Sequence, residues 1–168
     1  GTSTPMQQTN CHPFRYGKWL FAHNGLISGW HKVRRELSFA VDPSLYSDIM
    51  GSTDSEVMFH LALTLGLEDD PIGAIERMVG MVEKECAKIG ADKGLQMTVC
   101  ATEGTKLYAA RYATQGVARS LFVTSDAKTV KEMYPERKKL GIFPDDAHMI
   151  VSEPLSDLPG VHHEVPQN

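Results

Sequence analysis

The chain has 168 residues, 42% hydrophobic and 23% charged, which is enough apolar material for one ordinary soluble domain with a sizeable core. A formal net charge of -4 and the lack of a basic stripe argue against a nucleic-acid partner, and no apolar run approaches the ~18 residues of a membrane span. No secretory leader pattern opens the chain, and its three cysteines, Cys11, Cys86 and Cys100, include no C-x-x-C pair, so a cytoplasmic protein without disulfides is expected. The seven histidines are dispersed apart from His162-His163, and neither H-E-x-x-H, G-x-G-x-x-G nor a P-loop is present, so no metal and no cofactor is expected.

The opening "GTSTPMQQTNCHPF" is polar and carries no capping signal. In "KWLFAHNGLISGW", Trp19 to Ala22 read as a buried strand, and Asn24-Gly25, a dipeptide that tolerates positive φ, predicts a tight turn at its end. Past Gly29, the spacing of Trp30, Val33 and Leu37 predicts a short amphipathic helix. "GSTDSEVMFHLALTLG" holds a capping box, Thr53 with Glu56 three residues on, ahead of an apolar run that places Asp54 in the first helical turn. Asp70 is a cap with Pro71 at the first helical position, and Ile72, Ile75, Val79, Val82, Cys86 and Ile89 make one face of the helix that follows.

From Leu95 the period changes to alternation on both sides of Glu103-Gly104, which predicts a β-hairpin with Cys100 in its first strand. "SLFVTSD" and "HMIVSEPL" add two short strands separated by a charged helical stretch between Lys128 and Lys139. There is no internal repeat. Helices followed by an antiparallel sheet indicate an α+β layered domain.

Asn24 and Gly25 can offer a side-chain amide donor and a backbone N–H to one point, which is what a tetrahedral intermediate of acyl transfer requires for its oxyanion. Asp54 has two readings. The helix dipole alone favours an acid in the first turn, and a carboxylate held at a helix start can also bind an ammonium group. His23, Cys11 and His12 complete the candidate set, but adjacent side chains of an extended segment point to opposite sides, so Cys11 and His12 are poorly built as thiolate and base.

Taken together, "TPMQQTNCHPF", "WLFAHNGLI" and "GSTDSEVMFHLAL" resemble, in order and spacing, the class II glutamine amidotransferase domain, a branch of the N-terminal nucleophile hydrolases. "IVSEPLSDLPGVHHEVPQN" is similar to the closing strand and tail of the compact bacterial members. The resemblance implies an αββα four-layer sandwich. It also implies an oxyanion hole at Asn24 and Gly25, a substrate ammonium site at Asp54, and a glutamine pocket that Thr2 helps to line, while His23 stands beside these as a substrate-binding candidate read from the residues. In the family the nucleophile is an N-terminal cysteine with its own α-amino group as base, forming a γ-glutamyl thioester and releasing ammonia. This chain begins with glycine, and the family's carboxylate-binding arginine also has no counterpart, so the expectation is that residues 1–168 are the C-terminal part of the domain.

Three functional readings follow. The first is a glutamine amidohydrolase, with glutamine or another γ-glutamyl compound as the small-molecule substrate and an ammonia-accepting enzyme as a possible partner. The second is a stand-alone hydrolase of γ-glutamyl peptides or γ-glutamyl thiol conjugates. The third is a non-catalytic amino-acid-binding module of the same fold.

Overall fold

The structure is a computed structural model, and it describes residues 5–154 and 157–167. A four-stranded antiparallel sheet of order β1-β2-β3-β4 is built from Phe14–Tyr16, Trp19–Ile27, Leu95–Thr102 and Leu107–Ala113. Between β2 and β3 the chain makes four helices, α1 (Trp30–Phe39), α2 (Pro43–Tyr46), α3 (Asp54–Thr64) and α4 (Pro71–Lys88). A second antiparallel sheet has β5 (Phe122–Thr124) at its centre, flanked by β6 (Ile150–Val151) and β7 (His162–Glu164), with α5 (Ala127–Met133) between β5 and β6. The mixture of helices and antiparallel sheets is the α+β class that the alternating and helical periods indicate. Among the described residues no helix is long and apolar enough to cross a membrane.

Strand alternation sends Trp19, Phe21, His23 and Ile27 of β2, with Leu95, Met97, Val99 and Ala101 of β3, to the helical side. There Phe21 stacks on Phe59 of α3 with ring centroids 5.2 Å apart, and Ile75, Met78, Val82 and Cys86 of α4 close the core. Every residue of α3 from Ser55 to Leu63 is buried, because α3 lies against β2 and both α1 and α4. That explains why its sequence is apolar on all sides rather than amphipathic. On α4 the predicted face is shifted: Ile72 is exposed, and Ala74 and Met78 are buried instead. The opposite face of the sheet turns out Leu20, Ala22, Asn24 and Leu26, of which Leu20, Asn24 and Leu26 are exposed.

The start of α3 corrects one expectation. Thr53 Oγ1 accepts the Glu56 N–H at 3.1 Å, as a capping box requires. The Glu56 carboxylate does not reach back to the Thr53 N–H. It accepts from the backbone N–H groups of Met50 at 2.8 Å and Gly51 at 2.7 Å, and so anchors the preceding loop. Asn10, from the opening segment, joins the same loop by accepting the Ser52 N–H at 2.9 Å.

The two halves of this cap differ in what their loss exposes. Thr53→Ala should lower unfolding free energy by about 1 kcal/mol, the usual cost of a lost N-cap. Glu56→Ala removes the acceptor of two charge-assisted hydrogen bonds, from the Met50 and Gly51 N–H groups, and should cost about 3 kcal/mol. Urea unfolding of the two variants checks the ranking; equal losses would mean that the carboxylate does not hold the loop.

Candidate functional site

The Asn24-Gly25 pair makes no turn. β2 runs unbroken from Trp19 to Ile27, paired in register with β3, Asn24 opposite Thr98 and Gly25 opposite Met97. Gly25 is not among the glycines with positive φ. Its lack of a side chain serves close packing. A Cβ at Gly25 would lie 2.0 Å from the Gln96 carbonyl oxygen and 2.6 Å from His23 Nε2, distances that atoms cannot occupy. The glycine is therefore required by the approach of β3 and of the His23 ring, which a turn statistic does not reveal.

The same strand presents two donors. Asn24 projects its exposed carboxamide from the face opposite the helices. Gly25 offers its N–H along the sheet edge, as follows from Ile27: the Ile27 N–H points away from β3 and donates to Asp54 Oδ2 at 3.1 Å. N–H groups two residues apart in a strand point to the same edge. On that edge β1 pairs only with Trp19 to Phe21, so the Gly25 N–H faces the open stretch between β1 and Asp54.

Asp54 thus sits at the β2 edge, although it is 29 and 30 residues from Gly25 and Asn24 in sequence. Its other oxygen, Oδ1, accepts from the Ser55 N–H at 2.8 Å and from Ser55 Oγ at 3.3 Å. The residue is half-buried. One carboxylate and one peptide N–H therefore share one edge of β2, and the Asn24 side-chain amide stands on the adjoining open face of the same strand. Such a set can hold an ammonium group at one end of a small molecule and a developing oxyanion at the other.

His23 lies beneath this edge, on the helical side. Its Nδ1 is 2.8 Å from Ser55 Oγ, and Nε2 is buried without a hydrogen-bond partner. Burial holds its pKa below the ordinary 6.5, outweighing the Asp54 carboxylate, which acts in the opposite direction; His12 and Arg119 add to the lowering. The imidazole is therefore neutral at neutral pH and supports the strand from below, rather than opening to the face that carries Asn24. Ser55 and Arg119, neither of which stood out in the sequence, complete the surroundings; Arg119 Nη1 donates to Asn24 Oδ1 at 3.1 Å. The only sequence signal for Ser55 was its place next to Asp54, and for Arg119, 95 residues away, there was none.

Cys11 is exposed, with its thiol directed to the Gln7 carbonyl, whereas His12 packs edge-on against Phe14, so the two do not form a thiolate–base pair. Thr2 lies outside the described residues. A cavity of about 640 Å³ lined by Val130, Phe143, Met149 and Val161 belongs to the second sheet and includes none of these residues.

A histidine kept neutral by the fold binds fewer protons than it does in the unfolded chain. Stability then rises with pH up to the unfolded value of 6.5 and falls on acidification below it. His23→Gln should reduce that acid-side loss, leaving the share due to His12, whose pKa burial also lowers. Urea unfolding at pH 5.5 and 7.5, values that bracket the ordinary histidine pKa, checks this; an unchanged pH dependence would place the proton uptake elsewhere.

No protein-family model matches the sequence. Probable glutamine amidotransferase DUG3 of Saccharomyces cerevisiae is 29% identical over 184 residues, covering 97% of this chain and 52% of that protein. A solved structure, the glutamine aminotransferase class-II domain protein from Silicibacter pomeroyi, matches with a TM-score of 0.80 at 33% identity, over 96% of this chain and 65% of the other. The chain spans about half the length of the curated relative and just under two thirds of the solved one. The chain thus resembles a glutamine amidotransferase in sequence and a class II glutamine aminotransferase domain in fold, each likeness extending over nearly all of these residues.

Proposed function

We propose that the β2 edge binds glutamine for side-chain amide hydrolysis, with Asp54 taking the α-ammonium group and Asn24 and Gly25 the oxyanion. The observation that carries this reading is the Ile27–Asp54 hydrogen bond, which brings the carboxylate onto the same strand edge as the Gly25 N–H. Ile27 and Gly25 are two positions apart, about 6.6 Å along β2, a length comparable to an extended glutamine side chain.

On this reading a terminal cysteine thiolate that is not among residues 1–168 attacks the side-chain carbonyl carbon, and its α-amino group serves as the base. The carbonyl π electrons move onto oxygen, where the Asn24 carboxamide and the Gly25 N–H donate to the negative charge. Collapse re-forms the carbonyl and breaks the C–N bond, and the proton taken from the thiol leaves with the nitrogen as ammonia. Water then cleaves the γ-glutamyl thioester to glutamate and restores the thiol. Both oxyanion donors are neutral, so neither must change protonation state as the charge builds. Ammonia would pass to an accepting enzyme or to solvent.

Asn24→Ala in the full-length protein should lower kcat for glutamine hydrolysis by about 10²-fold or more while the far-ultraviolet dichroism stays unchanged, because the side chain is exposed and one oxyanion donor is lost. Unchanged turnover would sink the assignment. Asp54→Asn should chiefly raise KM, by roughly tenfold, through loss of the charge facing the ammonium group; lowered stability with normal KM would leave Asp54 as a helix-start residue only. A panel of glutamine, a γ-glutamyl dipeptide and a γ-glutamyl thiol conjugate, compared by kcat/KM, separates an amidohydrolase from a hydrolase of larger γ-glutamyl compounds.

A further inference from the structure

An asparagine serves as an oxyanion donor only if its carboxamide is held with nitrogen, not oxygen, toward the reacting atom. The two orientations differ by a half-turn of nearly equal shape, so surrounding polar groups must choose between them. The cross-strand neighbour of Asn24 is Thr98, whose hydroxyl can donate or accept and so does not select an orientation. Arg119 does select one. A guanidinium has donors only, and its Nη1 lies 3.1 Å from Asn24 Oδ1, which fixes that atom as oxygen and turns the NH₂ group the other way.

The arginine is itself located by its surroundings. Its Nε donates to Gln96 Oε1 at 3.4 Å, and the Gln96 amide nitrogen donates to the Val117 carbonyl at 3.4 Å. On one side of Arg119, the buried Ala118 donates its N–H to Gln167 Oε1 at 2.9 Å; on the other, Ser120 Oγ donates to the Ser152 carbonyl at 2.7 Å. The guanidinium thus bridges a β2 side chain and a β3 side chain from a segment pinned before and after it.

We propose that Arg119 is a positioning residue for the reaction. It locks the Asn24 carboxamide with its NH₂ presented as a donor, and its permanent charge polarises that amide toward a developing oxyanion. The inference rests on the oxyanion reading of Asn24 and makes a separate claim about what orients it.

The test uses the full-length protein with glutamine and compares wild type, Arg119→Ala, Asn24→Ala and the double variant. Arg119→Ala should lower kcat on the order of tenfold, as for one charge-assisted hydrogen bond, with KM within about twofold. In the Asn24→Ala background the same change should cause no further loss. Nitrogen-15 relaxation of the Asn24 side-chain NH₂ should show an ordered carboxamide in the wild type and a mobile one in Arg119→Ala. Additive losses, a change confined to KM, or an equally ordered carboxamide in Arg119→Ala would each overturn the proposal. If the wild type hydrolyses no γ-glutamyl amide, the functional reading falls and the catalytic role of Arg119 falls with it, while the relaxation data still decide the anchoring by themselves.

Discussion

The missing side chain at Gly25 is the constraint on which the rest of the site depends. Gln96 oxygen and His23 Nε2 occupy the space that a Cβ would need, at 2.0 and 2.6 Å from its ideal position. Any larger residue would pry β2 from β3 or displace the imidazole, and either shift would move the strand that carries both donors. Because the position is a glycine, pairing with β3 continues from Leu20 to Ile27, and alternation sets His23 beneath the sheet and Asn24 above it. Location of the two donors is therefore a property of regular sheet geometry, with no loop to hold.

The start of α3 supplies the second fixed point. Four consecutive residues there meet four different needs. Thr53 caps the Glu56 N–H, Asp54 takes the Ile27 N–H, Ser55 meets His23, and Glu56 anchors Met50 and Gly51. This density of partners has a physical origin. The helix is buried from Ser55 to Leu63, and protein groups satisfy the polar atoms of its first turn. One carboxylate in that turn reaches the strand edge, which ties the helix layer to the sheet.

Electrostatically the site is a neutral pair of donors flanked by fixed charges of opposite sign, Asp54 at one end and Arg119 near the other. The imidazole between the layers stays uncharged because burial opposes protonation more strongly than the carboxylate promotes it. That neutrality matters for packing as much as for chemistry: a cation under the sheet would need a counter-charge, and the nearest carboxylate is the one turned toward the strand edge.

Much of the fold was legible from sequence because its signals are local. The Thr53 cap, Asp70-Pro71 and the alternation around Glu103-Gly104 each depend on residues within one turn or one hairpin, and α3, α4 and the β3–β4 hairpin stand where those signals put them. The Asn-Gly dipeptide misled in one respect, since its turn propensity is a local statistic, whereas the requirement for glycine came from Gln96, 71 positions away. The residue pattern alone yields the set of elements and, through the likeness of three blocks to a family, Asn24, Gly25 and Asp54 as candidates. It took the folded arrangement to bring Asp54 to the edge of β2, to turn His23 inward to Ser55, to lead the Glu56 carboxylate past its own cap, and to set Arg119 against Asn24. The reason is that these contacts join residues 5 to 95 positions apart through hydrogen bonds between chain segments, and no periodicity along one segment encodes the partner on another.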